Sequence, residues 1–287
     1  MKVLTVVAAV AAMLVVLAVV TVLVATVLWD RATERSRRDL EAGARAPEGL
    51  APPDSTTAPP VVLRYLTRSV PAGRAPARMA TFVQEGTFQM REGETGWRPF
   101  RATQHVRAYP PGFLWDATIS MAPLVPVRVR DGYAGGSGMM KGAVASLIVM
   151  VEGEPTRELA QGALYRYLAE AAWMPSRLLP GEGLTWSAVD DSAAEATLTD
   201  GDVQVSVRFR FDATGDLTSI FVPDRPAEVD GAYVPRPWVG RFWDHQEVDG
   251  HRIPLQGEVS WVVEGKEVPY WRGRIVSARY RSSTIPS

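Results

Sequence analysis

The sequence predicts a mainly β chain of the α+β class: a curved antiparallel sheet or open β-barrel with one central covering helix, preceded by a single transmembrane helix. Three observations predict it. Alternation of apolar and polar residues at period two, cut by turn signals, runs through most of residues 77–280. One helical pattern at about residues 155–174 divides those strands into two runs. An uncharged apolar stretch occupies the N-terminus, so the expected organisation is an anchor (1–29), a charged then Pro/Ala-rich linker (30–60) and a β-rich domain (61–287).

The stretch from Val3 to Trp29 is 27 residues without a charge, bracketed by Lys2 and Asp30. At about 1.5 Å per residue it exceeds a hydrocarbon core of roughly 30 Å. A cleavable signal peptide has a shorter apolar region, of about 7 to 15 residues. No small-x-small cleavage site follows Trp29, so an uncleaved, single-pass anchor in a bacterial cytoplasmic membrane is expected, with Trp29 at the interface. Orientation pulls two ways. Arg31, Arg35, Arg37 and Arg38 outnumber Lys2 and argue for a cytoplasmic domain. Single N-terminal anchors carrying β-rich domains usually present them outside, and an extracytoplasmic domain is expected on that analogy.

Composition bounds the rest. A chain of 287 residues, 46% hydrophobic and 22% charged, can bury one substantial core. The formal charge of −1 leaves no basic excess, so nucleic acid is not an expected partner. The absence of cysteine excludes disulfides, thiolate metal sites and a lipid-modified cysteine.

After the anchor, "DRATERSRRDLEAGAR" is charged and able to extend the helix by a few turns, whereas "APEGLAPPDSTTAPP" has five prolines and reads as a tether. In "VVLRYLTRSV", Val62, Tyr65 and Leu66 recur at helical spacing, predicting a short amphipathic helix docked on the domain. Strands follow in "ARMATFVQEGTFQM", "GWRPFRATQHVRAY", "PGFLWDATISM" and "LVPVRVRDGYAG". Phe100, Ala102, Gln104 and Val106 share one face, and Arg101, Thr103, His105 and Arg107 the other, solvated one. "GYAGGSGMMKG" reads as a turn, and "AVASLIVMVEG", apolar on both faces, as a strand leading into a buried element.

The central helix is read from "EPTRELAQGALYRYLAEAAWMPSRLLP", with Pro155 in its first turn and Leu159, Ala163, Leu164, Tyr167, Leu168, Ala171 and Met174 on one face. Glu170 falls at the edge of that face at about 100° per residue. It is either the partner of Arg166 at i+4 or an acid in a pocket. The second β-run carries turn signals at Asp190-Asp191, Asp200-Gly201, Thr214-Gly215, Asp249-Gly250 and Glu264-Gly265. A sheet of that length tends to curl, and a helix inserted midway can cover its concave face.

The stretches "RYLTRSVP", "PPGFLWDATISM", "VPVRVRDGY", "RYLAEAAWMPSRLLP", "VDDSAAEATLTDG" and "GHRIPLQGEVSW" with "YWRGRI" resemble a bacterial membrane-anchored protein family of unknown function over about residues 61–280. That resemblance implies no activity and no catalytic residues. More distantly, the strand-helix-strand plan is similar to the open β-barrel of bacterial lipoprotein carriers, whose concave apolar face holds acyl chains.

Catalytic constellations are scarce. "GGSGM" has Met139 where a nucleophile elbow needs glycine, and His105, His245 and His251 lack metal-ligand spacing. Asp116, Asp131, Glu170 and Glu258 could serve a carboxylate-dependent hydrolase only if folding brought two of them together. What remains is aromatic surface: nine tryptophans, eight beyond the anchor. Most belong to the core. An apolar pocket is expected to use Trp115, Tyr133, Glu170, Trp173 and Trp261, with Asp116 on the opposite face from Trp115. The expected function is binding of a lipid or acylated ligand at a bilayer, with no cofactor and no catalytic residue. A carboxylate hydrolase and a non-catalytic envelope scaffold are the alternatives.

Overall fold

The computed structural model describes residues 2–45, 53–73, 75–90, 96–122 and 125–282. Helix α1, Lys2–Ala42, is 41 residues long. That is about 60 Å at 1.5 Å per residue, twice a hydrocarbon core. Its first part is the one helix among the described residues long and apolar enough to cross a membrane. Its second part is the charged stretch, held helical by Glu34–Arg37, Glu34–Arg38 and Arg37–Glu41 pairs at i+3 and i+4. Of the Pro-rich segment that follows, residues 46–52 lie outside the described residues; beyond them Asp54 accepts from the Thr56 amide at 2.9 Å in a turn and Ala58 is buried in the core, so the end of the expected tether packs on the sheet domain.

The short helix is α2, Pro60–Ser69, and it buries Val61, Val62, Tyr65 and Leu66. The first strands are β1 Ala77–Phe88, β2 Arg98–Arg107, β3 Gly112–Ala122, β4 Val125–Ala134, β5 Ser137–Val144 and β6 Ile148–Glu152. Helix α3, Arg157–Ala169, leads through a 3-10 turn at Glu170–Trp173 into the second run. That run is β7 Leu184–Asp190, β8 Ala193–Asp200, β9 Val203–Phe211, β10 Leu217–Val229, β11 Ala232–Val248, β12 His251–Val263 and β13 Lys266–Ser282.

All 13 strands form one open sheet in the order β6-β5-β4-β3-β2-β1-β13-β12-β11-β10-β9-β8-β7. Two antiparallel meanders therefore meet along a single seam, β1 against β13. Tight two-residue turns explain why the second run folds back on itself: Asp230-Gly231, Asp249-Gly250 and Glu264-Gly265 all have positive φ at both positions, as type I′ hairpins require. At the seam Gly86 faces Gly273, and a Cβ on Gly86 would lie 1.9 Å from the Arg272 carbonyl oxygen. Only glycine permits that approach.

Helix α3 joins the two edge strands across the concave face, touching β4 and β5 on one side and β9 and β10 on the other. It is buried nearly all round, from Ala160 through Leu164 and Leu168, because the sheet wraps it. Its start differs from expectation. Thr156 is the N-cap, accepting from the Leu159 amide at 3.2 Å, and Pro155 precedes it.

Three further expectations change. The Gly-rich turn is confined to Gly135 and Gly136, both at positive φ, and Ser137 onward is strand β5. The apolar stretch after it is not buried: β6 is an exposed edge, because a turn at Ala145–Leu147 reverses the chain and only β5 pairs with it. The outer face of β2 is not simply solvated. The second half of α1 lies along it, burying Leu40, and Arg107 donates to the Leu40 carbonyl at 3.2 Å, so a cation meets the helix C-terminus.

Candidate functional site

The curl of the sheet leaves a cavity of about 480 Å³ between α3, the two meanders and their seam. Its walls are apolar: Phe88 at the end of β1 and Met90 just after it, Ile119 of β3, Val127 and Val129 of β4, and Val259 of β12 among them. Inward alternation along each strand delivers these side chains, since successive residues point to opposite faces.

The inner end is polar and fully connected. The Trp115 indole donates to Gln84 Oε1 at 2.8 Å, and Gln84 Nε2 to Gln104 Oε1 at 2.8 Å. Gln104 Nε2 donates to Glu170 Oε2 at 2.6 Å, and Arg166 Nε to Glu170 Oε1 at 2.7 Å. Arg166 also donates to Asp131, and its guanidinium carbon lies 4.9 Å from the centre of the Trp115 ring. Burial pushes the Asp131 carboxyl above its ordinary range even with Arg166 against it, while the two carboxylates hold Arg166 more firmly protonated. Glu170 is thus the i+4 partner of Arg166 and a member of the cavity lining at once.

An aromatic wall stands opposite. Arg225 sits 4.3 Å above the Trp238 ring and 5.2 Å from the Trp261 ring, and Trp261 stacks on Tyr270. Arg225 is anchored by donating to the Gly162 carbonyl of α3 at 3.1 Å. Deeper in, Trp173 and Trp271 meet with ring centres 5.9 Å apart. Both line the cavity, and both indole N–H groups are buried without an acceptor. The rim is more open, with Met150, Val151 and Glu228 exposed and Arg236 half-buried.

Of the residues expected at a pocket, Trp115, Glu170, Trp173 and Trp261 line this one cavity. Tyr133 does not. It lies further along β4, in the core, where its hydroxyl donates to Asp200 at 2.7 Å. Asp116 is on the outer face with Arg128, and Glu258 pairs with Arg272 on the strand surface. Only Asp131 and Glu170 of the four carboxylates converge, and both are held by Arg166. Among the described residues no cluster of His, Cys, Asp or Glu could hold a metal ion. Gln84 and Arg225 were not anticipated. Gln84 carried a signal, because like Gln104 it is a polar residue on the inward face of an alternating strand.

A family model described as "Family of unknown function (DUF6920)" matches residues 56–280. No curated protein matches the chain. The solved structures to which the chain is similar include a LolA superfamily protein from Nitrosomonas europaea, at 10% identity and a TM-score of 0.40, over 79% of this chain and 95% of that one. Another is a β-barrel-like protein of the domain of unknown function DUF1849 from Brucella abortus, at 10% identity and a TM-score of 0.23, over 72% of this chain and 99% of that one.

Proposed function

The chain belongs to that family of unknown function, and on this premise we propose that it is a membrane-anchored binding protein that holds a lipid or acylated ligand in the concave cavity. The observation that carries the reading is a cavity of about 480 Å³ in which apolar walls meet a polar inner end at Arg166 and Glu170. An acyl chain would fill the space beside Ile119, Val127 and Val259. Each Å² of apolar surface so covered contributes about 25 cal/mol.

In this reading α1 is an uncleaved single-pass anchor, and the domain stands on the extracytoplasmic side, within the cell envelope. A hydrolase using Asp131 and Glu170 is less favoured. Both carboxylates are committed to Arg166, and Glu170 also accepts from Gln104, so neither is poised to act as a free acid or base.

A photoactivatable fatty acid tests the proposal with the full chain in lipid nanodiscs. Crosslinks are expected on peptides carrying Val127–Asp131 and Val259–Trp261. A cavity-filling Val259→Trp should lower labelling several-fold while the fold is retained. Labelling spread over the surface, and indifferent to Val259→Trp, would reject the reading.

A further inference from the structure

The strand most at odds with its sequence is β6. Its residues and the turn before it are apolar, and no charge occurs between Gly142 and Val151. Yet Ile148 is 63% exposed and Met150 56%, with Leu147, Val149 and Val151 exposed as well. The neighbouring ends of β3, at Met121 and Ala122, and of β4, at Val125 to Val127, are uncharged as well, and Val125 is exposed. An unshielded apolar edge of this kind marks a surface that something covers.

The path of α1 says what covers it. Trp29 meets Asp116, Arg128 and Arg130 on the outer face of β3 and β4, and Leu40 lies against Gly112 and Arg107. Along β3, the direction from Asp116 to Gly112 is therefore the direction from Trp29 toward the C-terminus of α1. The opposite direction, through Ile119 to Ala122, leads toward the apolar span. Pairing carries the β5–β6 tip to the same end, because Ile119 faces Val127, Val127 faces Val144, and Val144 faces Ile148. At about 3.3 Å per residue these ends run some 10 to 20 Å beyond the level of Trp29, measured along the strands. Val22, Ala25 and Thr26, on the same face of α1 as Trp29, are half-buried where residues on either side are exposed. The cavity reaches this end too, through Ile119 and Val127, which face each other.

We propose that the β5–β6 tip, with the adjoining ends of β3 and β4 at Ala122 and Val125, seats in the headgroup region of the bilayer that α1 crosses, so that the cavity opens onto the lipid surface and takes its ligand from the adjoining leaflet. This rests on the reading of α1 as an uncleaved span. The free edge of β6 sets the depth: its outward backbone groups need water or headgroups as partners, which the hydrocarbon core does not supply. Leu147, Ile148 and Val149 then sit at the interface as the apolar face of an amphipathic segment does.

The chain has no cysteine, so single labels can be placed cleanly. The full chain is reconstituted in phosphatidylcholine vesicles, and an environment-sensitive fluorophore is attached to Ile148→Cys, to Ser137→Cys at the opposite end of β5, or to Val15→Cys within the span. Nitroxide-labelled phospholipid should quench the labels at positions 15 and 148 and spare the one at 137. Quenching at 15 with none at 148 beyond that at 137 overturns the seating while leaving the span intact. Absence of quenching at 15 removes the span and the seating together. As a second readout, Leu147→Asp with Ile148→Asp should slow pickup of a fluorescent fatty acid from vesicles by about tenfold, since charge expels such segments from the interface. An unchanged pickup rate overturns the proposed route.

Discussion

The guanidinium carbon of Arg130 lies 4.3 Å from the centre of the Trp29 ring, and this contact fastens the apolar helix to the outer face of the sheet. Arg130 is buried, so the interaction belongs with desolvated cation–π contacts, worth about 2 kcal/mol. Trp29→Ala and Arg130→Ala should each lower the melting temperature of the full chain. The double variant should be less destabilised than the sum by about 1 to 2 kcal/mol, because one contact is lost once. Strict additivity in the cycle would show that the two residues do not interact.

Asp131 should make stability depend on pH with a definite sign. Burial raises its folded-state carboxyl above the ordinary aspartate value of 3.8. The folded chain then holds the proton more tightly than the unfolded chain, so this contribution is complete below that value and is lost as pH rises through the folded one. The stability of the wild type minus that of Asp131→Asn should therefore fall as pH rises above about 4. A difference that rises over this range contradicts the assignment.

Tyr133 and Trp261 should separate fold from binding. Tyr133 is 2% exposed, in the core, and hydrogen-bonded to Asp200, so Tyr133→Ala should cost about 3 to 5 kcal/mol. Trp261 is half-buried on the cavity wall, and Trp261→Ala should weaken capture of a fluorescent fatty acid more than it lowers the melting temperature. Titration of both variants, with thermal unfolding alongside, checks the pair. The reverse pattern would move the site to Tyr133.

The sheet was legible because its signals are local. Alternation in Val203, Val205, Val207, Phe209 and Phe211 gives β9 its buried face, and Asp249-Gly250 places a hairpin turn where it occurs. The Arg166–Glu170 pair was legible for the same reason, being one helical turn apart. What local reading missed depends on the long-range path of the chain. That Tyr133 belongs to the core and Asp131, two residues before it on the same face, to the cavity is decided by where α3 crosses β4. That Leu147–Val151 is exposed follows from its place at the sheet edge, which pairing order alone determines. The five candidate residues are aromatic or acidic, whereas the link between two of them, Trp115 and Glu170, runs through the neutral Gln84 and Gln104, which only the pairing of β1, β2 and β3 brings together.

The seam between the meanders should tolerate no side chain at Gly86. A Cβ there would lie 1.9 Å from the Arg272 carbonyl oxygen and 2.7 Å from the Gly273 Cα, both backbone atoms that cannot rotate away. Gly86→Ala must separate β1 from β13, at a cost of about 2 kcal/mol or more. Gly231→Ala, at a hairpin turn with nothing within 4 Å of its Cβ, meets no such contact and pays only for its positive φ. Denaturant unfolding of the two should rank Gly86→Ala as the more damaging, and equal losses would mean that the seam is able to open.

The docked half of α1 makes a further prediction about where the soluble domain begins. A chain starting at residue 61 lacks Trp29 and Leu40, and so uncovers Arg130, Arg107 and Leu114, all buried in the full chain. Arg107 would also lose its bond to the Leu40 carbonyl, and a hydrogen bond to a charged group is worth about 1.5 to 3 kcal/mol. A chain starting at Trp29 keeps these contacts and discards the span. It should therefore melt several degrees above the shorter one, and both should leave the membrane fraction while the full chain resists an alkaline wash. If the two fragments melt together, the second half of α1 contributes nothing to the domain and is a tether. If the full chain is instead recovered soluble and shortened near residue 29, the apolar segment is a cleaved signal. Protease added outside spheroplasts then reads the side on which the intact domain stands, and digestion there is the expected result.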